Sequence, residues 1–187
     1  MPAPAAPLLV WIDLEMTGLD PATCTIIEMA LIATDVQLRQ VAPPWTCAVW
    51  QPEEQLARMS PYVRAMHEKT GLLERVRAST VAVDEAQRQA LALVAAYATY
   101  RTPRLCGNSV GYDRRFLRRY MPHLENYFHY RQIDVSSIKE VVRMWGGRRF
   151  DKPTAGQHTA LGDIEQSIAE LAFYRQHALI PALGPTS

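Results

Sequence analysis

Residues 8–18 read LLVWIDLEMTG, an apolar run with two acids set into it, Asp13 and Glu15. The run reads as a strand. Side chains alternate faces along a strand, so Asp13 and Glu15 share one face while Ile12 and Leu14 share the other. Two like charges side by side in a mostly buried strand are costly unless something positive lies between them. A divalent cation is the simplest such partner. A strand end whose acids face water fits the stretch equally well, so the choice falls to the rest of the chain.

Beyond that strand, Thr17-Gly18-Leu19-Asp20-Pro21 supplies turn chemistry. Residues 25–35 form a second, nearly all-apolar strand with Glu28 as its one internal charge, and residues 45–50 a third. Short connections among the three predict an antiparallel meander. Ser60 and Pro61 suit the N-cap and first position of a helix that Gly71 interrupts. A longer helix is expected over 83–100, where Ala86, Ala90, Leu93, Val94 and Tyr97 keep helical spacing. A short buried strand follows at 105–108, then a helix over 113–121 that stops before Pro122. Residues 130–135 make the fifth strand and 136–145 the helix after it. The stretch 146–156 has no periodicity and is expected to be a mobile loop. The last helix spans 159–177, with Leu161, Ile164, Ile168, Leu171 and Tyr174 on one stripe.

These 187 residues suffice for one α/β domain with a real hydrophobic core. At 48% hydrophobic and 21% charged, the composition is that of a soluble globular protein. The expected layout is a disordered lead-in over 1–7, one domain over 8–180 and a tail over 181–187. MPAPAAP lacks the basic and apolar regions of a secretory signal, and no run is long enough to cross a bilayer, so no membrane partner is expected. Cys24, Cys47 and Cys106 are odd in number with no CxxC pair, which favours reduced thiols in a cytoplasmic protein over a zinc site. The net charge of +1 does not suit a protein that coats long nucleic acid, whose affinity comes from phosphate neutralisation.

Further acids lie at helix starts. Asp113 sits between the short strand and its helix, where α/β proteins place their sites, yet Asp is also a favoured helix cap. His158 and Asp163 flank the start of the last helix. Five residues turn a helix by about 140°, so His158 belongs just ahead of it and Asp163 in its early turns. Taken singly, each is commonplace. Four acids and one histidine converging on a cleft would form an oxygen-rich site suited to Mg²⁺ or Mn²⁺. Two such ions ~3.5–4 Å apart form the clamp used for displacement at phosphorus. His158, held neutral beside dications, would accept a proton from the attacking water.

The blocks DLEMTGLD, GNSVGYDRRFL and HTALGDI, in that order and spacing, resemble the DEDD 3′-to-5′ exonucleases, in the subgroup with a histidine five residues before the last aspartate. Within it the chain is similar to the oligoribonuclease family, also in EQLARMSPYV, HEKTGLLERVRAS, YMPHLENYFHYRQIDVSSIKEV and SIAELAFYRQH. The resemblance implies a ribonuclease H-like fold: a mixed five-stranded sheet flanked by helices. It implies Asp13, Glu15, Asp113 and Asp163 as ligands of two divalent cations, Mg²⁺ or Mn²⁺, with His158 as general base. The implied activity removes nucleotides from the 3′ end of very short single-stranded RNAs, ending with dinucleotides.

The resemblance also implies a homodimer with each site completed by the partner. The segment His129-Tyr130-Arg131 matches the part that reaches across, with Tyr130 as an active-site residue in trans; an aromatic packed beside a strand is the alternative for Tyr130. Arg131, Ser109, Ser136 and Lys139 match positions that hold the terminal phosphate, and Leu19 and Tyr62 those that wedge and stack the bases. Tyr62 departs from the family's Trp and Tyr112 from its frequent Gln. A broader exonuclease trimming longer RNA or DNA would use Arg114, Arg115, Arg118 and Arg119 as a track. An exposed face with dimer contacts is the other reading of those four. A binding module that had lost catalysis is disfavoured, because all five catalytic positions carry suitable residues.

Overall fold

The computed structural model describes residues 7–151 and 159–179. The opening run is the central strand of the sheet. β1 (Leu9–Met16) pairs antiparallel with β2 (Ile26–Thr34), which pairs antiparallel with β3 (Trp45–Ala48). On its other side β1 pairs parallel with β4 (Arg104–Gly107), and β4 parallel with β5 (Gln132–Asp134). The order β3-β2-β1-β4-β5 makes a mixed five-stranded sheet, as expected, with the predicted meander as its antiparallel half.

Short helices α1 (Glu53–Leu56), α2 (Pro61–Lys69) and α3 (Leu72–Ala78) lie between β3 and the long α4 (Val83–Tyr97). Ser60 caps α2 by accepting the Val63 amide at 3.3 Å. Gly71, at φ 66, takes the left-handed turn that separates α2 from α3. After β4 come α5 (Gly111–Tyr120) and α6 (Pro122–Tyr127); after β5, α7 (Val135–Met144) and finally α8 (Ala160–His177). α6 was not expected. Pro122 does end α5, but its ring also suits the first position of a new helix, which it starts.

The alternation of β1 divides the core. Val10, Ile12 and Leu14 pack with Ala86, Ala90 and Val94 of α4, Phe116 and Leu117 of α5, and Leu124 of α6. Leu9 and Trp11 face the other way, with Ala30, Ile32 and the stripe Ile164, Leu171 and Tyr174 of α8. A smaller cluster joins Ile27 to Leu56, Met59, Leu72, Leu73 and Val76 under α1–α3. The described part of the expected mobile loop, 146–151, has no regular structure, yet Phe150 packs on Phe173 with ring centroids 5.6 Å apart. Its remaining residues, the lead-in 1–6 and residues 180–187 fall outside the described residues. Among the described residues no helix is long and apolar enough to cross a membrane.

Candidate active site

Asp13 and Glu15 continue the Leu9–Trp11 face of β1, where the apolar contact with α8 gives way to that helix's N-terminal turn. Thr159 caps α8 by accepting the Gly162 amide at 3.2 Å, which places Asp163 in the first turn above the strand. Ligand oxygens of Asp13, Glu15 and Asp163 all lie within 4.8 Å of one another. Asp113 comes from the opposite layer, through α5. Its Oδ1 accepts the Leu14 amide at 3.0 Å, and Val110 rather than Asp113 is the residue at the N-cap. The acid therefore ties α5 to β1 beside Asp13 from the first turn of its helix rather than from the cap position. His158 lies outside the described residues.

The electrostatics are those of a site built for positive charge. Burial, then Asp113, Glu15 and Asp163, push the Asp13 carboxyl well above the usual carboxylate range. Glu15 is pushed to about 8, first by burial and then by Glu28, Asp163 and Asp113. Asp113 is also raised, chiefly by burial. Carboxylate oxygens gathered in one place, with Asp13 and Glu15 resisting ionisation through burial and their acidic neighbours, match a hard divalent cation in donor type and in charge. Among the described residues the donor set is all oxygen, which suits a hard divalent cation over a soft one.

Sequence reasoning passed over two residues here. The hairpin register sets Glu28 directly across from Glu15, next to a bulge between Glu15 and Met16. Glu28 is buried; Oε1 is paired with Arg75 of α3, and Oε2 has no hydrogen-bond partner among the described residues. His67 of α2 is also buried. Its Nε2 lies 3.1 Å from the Met16 carbonyl and its Nδ1 3.8 Å from Glu15 Oε2. A carbonyl only accepts, so Nε2 carries the proton, and burial lowers the imidazole's basicity. Glu28 was visible as a lone charge in an apolar strand; His67 had no local signal.

A second polar cluster lies past the C-terminal ends of β4 and β5. Ser109 and Ser136 hydroxyls are 3.1 Å apart, and Ser136 Oγ donates to Asn108 Oδ1 at 3.0 Å. Asn108 Nδ2 donates to Glu170 Oε2 at 3.2 Å, and Glu170 Oε1 lies 3.7 Å from Lys139 Nζ. Ser109 takes a left-handed φ of 52, fixed by Asp134, which accepts both the Ser109 and Ser136 amides. Three of the four expected phosphate contacts thus stand together. Leu19 and Tyr62 are both largely exposed.

The fourth contact, Arg131, is elsewhere, with His129 and Tyr130. Val10 pairs with Leu105 and Leu105 with Gln132, so Tyr130 lies level with Leu8 at the far end of the parallel strands. From Asp13 that is about 17 Å along the strands and about 10 Å across them. Tyr130 is 67% exposed, stacked on His129 at 4.4 Å and covered by Arg131 at 5.3 Å. It is not a core aromatic, and its ring does not approach the carboxylates of its own chain. The expected arginine face also needs correction. Arg115, Arg118 and Arg119 are exposed, but Arg114 turns inward, because the buried Glu125 draws its guanidinium at 2.9 Å.

Comparison with known proteins agrees. The chain matches the family model RNase_T, described as Exonuclease, over residues 10–171. It is 49% identical over 174 residues to an oligoribonuclease of Pseudomonas syringae pv. tomato (strain ATCC BAA-871 / DC3000), covering 92% of this chain and 97% of that one. It is 46% identical over 172 residues to one from Francisella tularensis subsp. holarctica (strain OSU18), covering 91% and 96%. Among solved structures it resembles E. coli Exonuclease I in complex with a dT13 oligonucleotide, at TM-score 0.70 and 17% identity over 95% of this chain. It also resembles an Exonuclease I from Methylocaldum szegediense, at TM-score 0.65 and 19% identity over 91% of this chain. The chain spans about two fifths of those longer chains, 42% and 41%. At such identities the likeness shows the fold alone, which is ribonuclease H-like.

Proposed function

This chain belongs to the RNase_T exonuclease family and, within it, to the oligoribonucleases, 3′-to-5′ exonucleases that degrade short RNA, and from that premise we propose a preference for the shortest substrates, dinucleotides, cleaved at sites shared between two copies of the chain. The observation that carries this reading is the convergence of Asp13, Glu15 and Asp163 at the C-terminal end of β1; Leu19 and Tyr62 are both exposed. The cations are Mg²⁺ or Mn²⁺, two per site, held by those three acids and Asp113. When bound, they supply Lewis-acid activation of water and neutralise charge developing on the scissile phosphate.

The chain's own residues do the rest. His158 accepts the proton of the attacking water. The Leu14 amide and the His67–Met16 contact hold Asp113 and the end of β1 in place. Leu19 and Tyr62 take the two bases without reading sequence. Ser109, Ser136 and Lys139 hold the 5′-terminal phosphate, and Arg131 and His129 arrive from the second copy with Tyr130. A terminal phosphate held there would leave no path for a longer 5′ extension. The net charge of +1 supports this, since a dinucleotide brings few phosphates to neutralise. The exposure of Tyr130, far from its own carboxylates, supports its action in trans.

The test compares kcat/KM on a 5′-phosphorylated dinucleotide with that on a 5′-labelled RNA of roughly 20 nucleotides, a length that would occupy an extended single-strand track. A marked preference for the dinucleotide is expected. Equal or better efficiency on the longer RNA overturns the short-substrate reading.

A further inference from the structure

Arg114 directly follows Asp113 on α5, yet the two serve opposite ends of the sheet. Successive helical residues diverge by about 100°, so Asp113 turns to β1 while Arg114 turns to the segment before β5. Its side chain is only 11% exposed. Nε donates to Glu125 Oε1 at 2.9 Å, Nη1 to the Tyr130 carbonyl at 3.0 Å, and Nη2 to the His129 carbonyl at 3.1 Å. Nη1 also lies 3.4 Å from Gln132 Oε1. Glu125 is further held by Arg118 at 3.2 Å.

Residues 128–131 belong to no strand or helix. The carbonyls of His129 and Tyr130 therefore have no ladder partner, and the guanidinium satisfies both from one rigid plane. Lysine, a point donor on a flexible stem, does not reproduce that fork. The remaining ties follow the same shape: the His129 amide donates to the Pro103 carbonyl at 2.9 Å, and the Arg131 amide to His129 Nδ1 at 3.0 Å. Fixing these two consecutive carbonyls fixes the backbone that carries the Tyr130 ring outward.

We propose that Arg114 is a positioning residue for catalysis in trans, clamping His129-Tyr130-Arg131 in the shape in which one copy presents it to the carboxylates of the other. The proposal rests on the reading above that this segment acts in the second copy's site.

Mixed dimers separate the two. Differently tagged Asp13→Ala and Arg114→Gln chains are co-expressed and purified through both tags. Each variant alone is impaired: Asp13→Ala lacks a ligand, and Arg114→Gln loses about 10- to 100-fold in kcat/KM, the cost of a misplaced site group. The mixed dimer is expected to recover about half the wild-type turnover, because one composite site joins the intact carboxylates of one chain to the intact Tyr130 segment of the other. The double variant Arg114→Gln/Tyr130→Ala should fall no further than Tyr130→Ala alone. Arg114→Lys should stay near Arg114→Gln.

A mixed dimer no more active than Arg114→Gln alone overturns the proposal, since Arg114 would then serve its own chain's Asp113. Full rescue by Arg114→Lys overturns the fork. If neither Arg114 variant folds or pairs with a second chain, Arg114 is a stability residue and the proposal falls. An Asp13→Ala/Tyr130→Ala mixed dimer is the control. Its failure to recover activity refutes the trans reading itself, whereas its recovery beside a dead Arg114 pair refutes only the role of Arg114.

Discussion

Replacing Glu15 by Gln should stabilise the metal-free protein, and by an amount that grows with pH. Neighbouring carboxylates and burial move the Glu15 carboxyl from its ordinary 4.5 to about 8. At about 1.4 kcal/mol per tenfold, that displacement corresponds to roughly 5 kcal/mol against ionising Glu15 in the folded state. Its side chain is 13% exposed, so solvent screening removes little of this. The folded chain holds the proton more tightly than the unfolded one, so the stabilisation is present at acid pH and lost as pH rises from near 4.5 towards 8. Gln fixes the neutral form. Near pH 4 the two proteins should unfold alike; near pH 8 the variant should be more stable by about 3–5 kcal/mol, allowing for relaxation around the charge. Urea unfolding in chelator, followed by the fluorescence of the fully buried Trp11, measures this. At about 2 kcal/mol per molar urea, the midpoints should separate by about 1.5–2.5 M. Added Mn²⁺ should then favour the wild type, which has one more ligand and gains more from binding. A gap independent of pH, or a variant that is less stable near pH 8, would refute the like-charge account.

Asp13→Ala should abolish hydrolysis, yet melt in chelator at or above the wild-type temperature, because it also relieves repulsion; a large drop would make Asp13 a structural acceptor. Arg75→Ala should cost about 1–3 kcal/mol by leaving the buried Glu28 without its partner, and adding Glu28→Gln should return most of the lost melting temperature. An unchanged Tm in the single variant refutes the pairing. Lys139→Ala should raise KM about tenfold for a 5′-phosphorylated dinucleotide and much less for one ending in a 5′-hydroxyl, as expected for a charge-assisted contact. Equal effects on both substrates would remove Lys139 from the phosphate pocket.

The strand alternation of Asp13 and Glu15 was legible from local sequence, because a period of two needs no knowledge of partners. Asp163 was legible through the helix start that Thr159 caps. What escaped depended on register and on distant packing. Glu28 faces Glu15 only because the β1–β2 hairpin aligns them, and no local pattern sets that alignment. His67 has no signal of its own in the sequence; only the packing of α2 against the end of β1 brings it beside Glu15 and the Met16 carbonyl. Arg114 looked like a member of an exposed basic face; the buried Glu125, eleven positions later, turns it inward. The parallel pairing of β1 with β4, which together with β5 sets Tyr130 at the opposite end from the acids, joins segments nearly a hundred residues apart.

The place of α8 in the chain also orders events during synthesis. β1, β2 and β3 pair through neighbours close in sequence, so the acidic hairpin can form early. Asp163 lies 150 positions beyond Asp13. At about 5–20 residues per second, a ribosome needs roughly 8–30 s to reach it. Until α8 emerges and covers Trp11 and Ile32, the hairpin carries its paired acids without the third. With Asp163 as the proposed third ligand, hydrolytic competence arrives with the last helix rather than growing as the chain does.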